Sequence, residues 1–244
     1  MMIKLRVWDL PIRLFHWLLV VSIIGLFVTG KIGGNLMEWH RKIGFFVLGL
    51  ITFRLVWGVV GNEHARFMNF VRGPGAVLDY MKSLRQPSVA GAAASTVSLG
   101  HNPMGALSVL AMLAVVGFQA VSGLFADDEI LMKGPYADAV SNATSALFSK
   151  WHAWNSDLIL ALVALHLAAI GYYFFAKNEN LVKAMVSGDK VVDGMGNLPE
   201  ESKTSIGAAF GTKVPETPRP AWLSWFVAIV VGGLTTAVVT RAFG

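Results

Sequence analysis

Five long apolar runs dominate this sequence, and each is long enough to cross a hydrocarbon core that takes about 20 helical residues. They extend roughly from Pro11 to Gly30, His40 to Gly61, Asn102 to Ala126, Trp151 to Ala176 and Ala221 to Phe243. Lipid offers no partners for backbone N–H and C=O groups, so each run is expected to be a helix that satisfies its own. Only 14% of the 244 residues are charged and 55% are hydrophobic, whereas a soluble domain carries nearer a quarter charged. The expected fold class is therefore an all-α membrane protein. A four-helix transmembrane bundle would occupy residues 1–180, a mostly disordered cytoplasmic linker with a short helical start around Leu181–Val186 would occupy 181–219, and a fifth C-terminal transmembrane helix 220–244. Asp9 and Pro11 mark the start of the first helix. Lys4, Arg6 and Arg13 precede an apolar stretch as in a signal peptide, but no small-residue cleavage site follows, and His16 and Trp17 sit inside the run. It reads as a retained helix.

Lys and Arg placement sets the expected orientation. With the N-terminus cytoplasmic, the inner segments hold Lys4, Arg6, Arg13, Arg66, Arg72, Lys82, Arg85, Lys177, Lys183, Lys190, Lys203, Lys213 and Arg219. The outer segments hold fewer: Lys31, Arg41, Lys42, Lys133, Lys150 and Arg241. The reading is a multi-pass protein of the bacterial inner membrane, N-terminus inside and C-terminus periplasmic. Topology then accounts for the net charge of +5, which is no argument for nucleic acid. Trp39, Trp151 and Trp154 are expected in the outer aromatic belt, and Trp57, Trp222 and Trp225 in the inner one. A short interfacial helix is expected near Ala76–Leu84, in the inner loop.

The chain has no Cys, which excludes thiolate-held iron–sulfur clusters, disulfides and covalently attached c-type haem. It has six histidines: His16, His40, His64, His101, His152 and His166. Ionisable or metal-binding side chains inside spans are costly and usually functional. His152 and His166 lie fourteen residues apart, nearly four turns, so they share a helix face about 21 Å apart along the axis. Topology puts His40 at the level of His152, and His16 near that of His166. Four histidines at two matched depths on three helices point to metal or haem. The simplest scheme has two non-covalent haems, one held by His40 and His152 near the outer surface, one by His16 and His166 nearer the inner surface. A haem with two protein ligands has no open position and suits electron transfer.

Further candidates follow from spacing. Arg54 stands fourteen residues after His40 and could pair with an inner propionate, or snorkel to the interface. Arg41 and Lys42 could serve the outer propionates. Gly44, one turn after His40, would leave room for a macrocycle, or be an ordinary small-residue helix contact. His101, in Gly100-His101-Asn102-Pro103, could be a plain helix-start residue, a propionate partner or a quinone ligand. His64 reads as a solvated loop residue.

The Trp8-Asp9-Leu10-Pro11-Ile12-Arg13-Leu14-Phe15-His16-Trp17 string, His40 with Arg54, and Trp151-His152 with His166 together resemble the prokaryotic cytochrome b561 family, over about residues 5–190. That family includes the cytochrome b subunits of nickel hydrogenases. The first string and the Gly100–Gly105 string are similar to a branch of small stand-alone cytochromes that work with c-type partners. The resemblance implies a four-helix core with two haem b, the same four ligands, and exchange of electrons with ubiquinone or menaquinone in a respiratory chain. It also matches His101 to a histidine near a quinone site. The fifth span and the long linker depart from short members.

The function expected is a membrane di-haem cytochrome b passing electrons between the quinone pool and a periplasmic partner, a c-type cytochrome or a dehydrogenase. Whether it is a self-contained enzyme stays open. The alternative is a stand-alone superoxide:quinone oxidoreductase, which needs a positive outer surface; Asp127, Asp128 and Glu129 oppose that. The remaining alternative is a non-redox anchor or transporter, against which the spans carry almost no carboxylates.

Overall fold

The computed structural model describes residues 3–62, 64–71, 73–85, 102–129, 132–192 and 221–243. Four helices are long and apolar enough to cross a membrane: α1 (Leu10–Ile32), α2 (Met37–Val60), α5 (Pro103–Phe125) and α6 (Asn142–Ala176). Between them lie a single turn, α3 (Phe67–Phe70), and α4 (Pro74–Arg85). After α6 come α7 (Leu181–Ser187) and, at the far end, α8 (Ala221–Phe243). Large apolar side chains such as Val21, Ile24, Val59, Leu165 and Leu167 stand exposed on these helices, as lipid requires and water does not tolerate in quantity. The protein is a multi-pass membrane protein.

Each span has a chemical start. Asp9 caps α1 by accepting the Ile12 N–H at 3.0 Å, with Pro11 in the first turn. Asn102 caps α5 by accepting the Gly105 N–H at 2.7 Å, and Ser141 caps α6 by accepting that of Thr144. These side chains satisfy backbone donors that the first helical turn leaves unpaired. The tight turn from α1 to α2 runs through Gly33 (φ 70°) and Gly34 (φ 56°), a left-handed pair that only glycine adopts cheaply.

The core draws on all four spans: Phe15 of α1, Val47, Leu50 and Ile51 of α2, Leu113 and Val116 of α5, and Ile159 of α6. The helix α8 packs along α2, where the backbones at Gly49 and Gly232 approach so closely that a side chain on Gly232 would meet the Gly49 carbonyl at 3.0 Å. Small residues allow such approach between apolar helices.

Three features differ from the sequence-based expectation. The helix α6 begins at Asn142 rather than Trp151, because Ser141 caps it there and its first turns are polar and need no membrane. Trp57 is not an interfacial belt residue. It is 1% exposed, its indole N–H donates to Asp9 at 3.0 Å, and the ring stacks on Phe53 and packs against Trp225. The segment after Asn180 opens with the short helix expected there, α7, but it stays ordered beyond that helix, as far as Val192. There α7 leads into β2 (Asp189–Val192), which pairs antiparallel with β1 (Ile3–Arg6) in the register Ile3–Val192 to Arg6–Asp189. Among the described residues, one two-stranded ribbon thus accompanies the helices. The ribbon joins the segment before α1 to the segment after α6, which places both on one face and requires an even number of crossings between them. The rest of the linker, 193–220, lies outside the described residues.

Candidate functional site

The four spans bring the transmembrane histidines together as two pairs. His40, in the first turns of α2, faces His152 of α6 with ring centroids 6.2 Å apart and planes at 73°. His16, two turns into α1, faces His166 of α6 with centroids 6.5 Å apart and planes at 53°. The pairs are stacked along α6, about 21 Å apart by helical rise.

Surroundings differ between them. The Nδ1 of His40 lies 3.0 Å from the Leu26 carbonyl and 3.4 Å from the Thr29 hydroxyl. The Nδ1 of His152 lies 3.0 Å from the Gln119 carbonyl and 3.1 Å from the Ser122 hydroxyl. Carbonyls only accept, so both Nδ1 atoms carry the proton, and each Nε2 keeps its lone pair for a metal. Glycines seat the two rings. A Cβ on Gly30 would come within 3.1 Å of the His40 ring, and one on Gly123 within 3.0 Å of the His152 ring. Beside this pair is a cavity of about 390 Å³, lined among others by Arg41, Gly44, Lys31, Asp127 and Lys133. In the other pair, the His16 Nδ1 is buried with no hydrogen-bond partner.

These sites suit haem better than a bare ion. Among the described residues, no group of three or more His, Asp or Glu gathers around a common point, and a structural zinc needs four protein ligands. An iron that brings its own macrocycle needs only two. Two metal–nitrogen bonds of about 2 Å, plus about 1 Å from each nitrogen to its ring centre, place opposed imidazole centroids about 6 Å apart; the two pairs stand at 6.2 and 6.5 Å. Arg54 adds an orphan: it is 3% exposed, lies over the Phe67 ring at 4.6 Å, and its Nη1 is buried without a partner. Asp9 lends it a negative charge nearby but no bond to that nitrogen, and a propionate would supply one.

Other expected residues fall variously. Arg41 lines the cavity and bonds to Glu38 at 3.0 Å; Lys42 also pairs with Glu38, at 3.3 Å, and lies over Trp39 instead of in the cavity lining. Gly44 faces the cavity, with nothing within 4 Å of an added Cβ. His64 sits in a turn. His101 lies outside the described residues. Its neighbour Asn102 donates to the Tyr173 hydroxyl at 2.6 Å, which stands 3.0 Å from that of Tyr80. The acidic loop is partly neutralised within itself: Lys133 pairs with Asp127 at 3.5 Å and with Asp138, and the hydrogen bond to Asp138 raises its pKa above the ordinary lysine value. Sequence reasoning passed over the Thr29-Gly30 and Ser122-Gly123 dipeptides. Their shared hydroxyl–glycine pattern was the available signal.

A membrane bundle that opposes imidazoles in two pairs, with no third His, Asp or Glu gathered at either among the described residues, suits a haem-carrying membrane cytochrome. The chain belongs to the prokaryotic cytochrome b561 family, whose model matches residues 7–188. That makes it a membrane b-type cytochrome, an electron-transfer protein whose cofactor is haem b. Among curated proteins it is similar to the probable Ni/Fe-hydrogenase B-type cytochrome subunit of Azotobacter chroococcum mcd 1, 25% identical over 209 residues covering 75% of this chain and 86% of the relative. The corresponding protein of Azotobacter vinelandii is 24% identical, with the same coverage. The probable Ni/Fe-hydrogenase 1 B-type cytochrome subunit of Escherichia coli strain K12 is 23% identical, covering 78% of this chain and 88% of the relative. No solved structure matches the chain.

Proposed function

We propose that the chain holds two haems, one between His40 and His152 and one between His16 and His166, and carries electrons through the membrane between the quinone pool and a periplasmic redox partner. The observation that carries this is the presence of two imidazole pairs, each at the separation one iron needs, stacked on one face of α6. Haem supplies reversible one-electron chemistry. With His40 and His152 holding one iron and His16 and His166 the other, neither would offer oxygen an open site, and the chain would act as a carrier. Arg54 would neutralise a propionate of the His16–His166 haem, and Arg41 one of the other. With the Lys and Arg bias placing the ribbon inside, the His40–His152 haem lies on the periplasmic side and α8 forms a fifth span ending there. The relatives named above point to a hydrogenase as one partner, with a c-type cytochrome as the alternative. Quinone would dock at the opposite end, where Asn102, Tyr80 and Tyr173 gather hydroxyl and amide groups.

Superoxide chemistry is less well supported. The cations at the cavity mouth are largely engaged, Arg41 with Glu38 and Lys133 with Asp127 and Asp138, so no strongly positive funnel collects anions there.

The test is the haem-to-protein ratio of the purified chain with its reduced-minus-oxidised spectrum. Two non-covalent b haems per chain are expected. One haem would mean that one pair is not a ligand pair.

A further inference from the structure

The helices α1 and α5 carry the same device at the same register. Each begins with a side-chain cap, Asp9 or Asn102. Seventeen residues further comes a carbonyl that holds an imidazole from the next helix of the bundle, Leu26 for His40 and Gln119 for His152, both at 3.0 Å. Three residues beyond stands a hydroxyl, Thr29 or Ser122, and then a glycine against which the ring rests, Gly30 or Gly123. The hydroxyls are themselves oriented. Thr29 donates to the Gly25 carbonyl at 2.6 Å, and Ser122 to the Gln119 carbonyl at 3.0 Å. Their protons are thus spent on the backbone, and a lone pair is left facing the imidazole N–H, at 3.4 Å for Thr29 and 3.1 Å for Ser122. Each Nδ1–H therefore meets two acceptors. The other pair is built differently, since the His16 Nδ1 is buried with none.

From this contrast we infer that Thr29 and Ser122 are positioning residues that tune one haem and not the other, holding the potential of the His40–His152 haem down. The inference rests on the reading of those two histidines as ligands. An acceptor on Nδ1–H pushes electron density into the imidazole and makes Nε2 a more basic ligand. A more basic ligand favours ferric over ferrous iron, which lowers the potential. With acceptors on both axial ligands, the effects act in the same direction on one iron. The glycines complete the device, since a side chain at either position would push the ring off its acceptors.

The experiment is a potentiometric titration of the purified, haem-loaded protein and of the variants Thr29→Val, Ser122→Ala and Ser122→Thr, with haem content measured on each. His152→Ala identifies which potential belongs to which pair. Thr29→Val and Ser122→Ala should each raise the same single potential, that of the haem His152→Ala removes, and leave the other in place. The shift expected is a roughly two- to tenfold weaker preference for the ferric state, the tenfold end reading as about 59 mV for one electron. Ser122→Thr, which keeps the hydroxyl, should restore the original value. Unmoved potentials at full haem content would overturn the tuning role while leaving the ligand scheme standing, and so would equal shifts of both haems. Retention of both haems in His152→Ala would instead overturn the ligand scheme itself. A variant that lost haem through misfolding would leave the other hydroxyl, on a different helix, to decide the matter.

Discussion

A single methyl group at Gly123 should loosen one haem while costing the bundle itself little. An ideal Cβ there falls 3.0 Å from the Cε1 of His152 and 3.3 Å from its Nδ1, and at Gly30 it falls 3.1 Å from both atoms of His40. The rings cannot swing aside freely, because Gln119 and Ser122 hold one and Leu26 the other. Forcing a methyl group into a packed contact costs about 1–3 kcal/mol, which corresponds to roughly five- to hundredfold weaker haem retention. Helix propensity runs the other way, since Ala is favoured over Gly in a helix interior by about 1 kcal/mol. Fold and site should therefore part company in Gly123→Ala and Gly30→Ala. The melting temperature changes little, because propensity offsets part of the clash, while haem passes faster to an excess of a haem-scavenging globin. Gly171→Ala is the control, because nothing lies within 4 Å of its added Cβ. Transfer at the control rate from both variants would refute the reasoning that these glycines seat ligand rings.

Three other outcomes are expected. His16→Ala and His166→Ala should each abolish the same one of two haem signals in the redox difference spectrum, and His40→Ala and His152→Ala the other; signals lost in any other combination would break the pairing. Asp9→Ala should lower stability by about 1–3 kcal/mol in a thermal melt, because it strips an acceptor from the Ile12 N–H, the buried Trp57 indole and the Asn62 amide together; an unchanged melt would show that these bonds are replaced by water. Arg54→Gln should lower the potential of the His16–His166 haem, since a nearby positive charge favours the ferrous state. A potential that stays in place, measured by redox titration, would detach Arg54 from that site.

Much of the site was legible because helical geometry converts sequence spacing into position. The fourteen-residue interval from His152 to His166 is local, lies on one helix, and survives any detail of packing. The cap Asp9 was readable for the same reason. Trp57 was misplaced because a tryptophan near the end of a span has two good fates, the headgroup layer or a buried partner, and its partner Asp9 lies forty-eight residues away. The seating glycines were hidden by the frequency of glycine in membrane helices, where close helix contact is its ordinary use. Only the ring lying against Gly30 or Gly123 distinguishes them. The early start of α6 escaped because a hydropathy reading finds the apolar part of a helix and is blind to a polar extension held by its own cap.

The ribbon of β1 and β2 has a consequence for how the protein is made. The backbone N–H groups of Val7 and Trp8 both donate to the Gly188 carbonyl, and the Arg13 guanidinium reaches the Val186 carbonyl. The first strand therefore has no partner until the ribosome has delivered residues some 180 positions later, by which point all four apolar helices have been synthesised. The ends of the bundle can thus be buckled together only once α6 has been made. Closing so long a loop costs little more than closing a short one, because the entropy grows only as the logarithm of its length. The clasp can form late and still tie together the first and last of the four spans, α1 and α6.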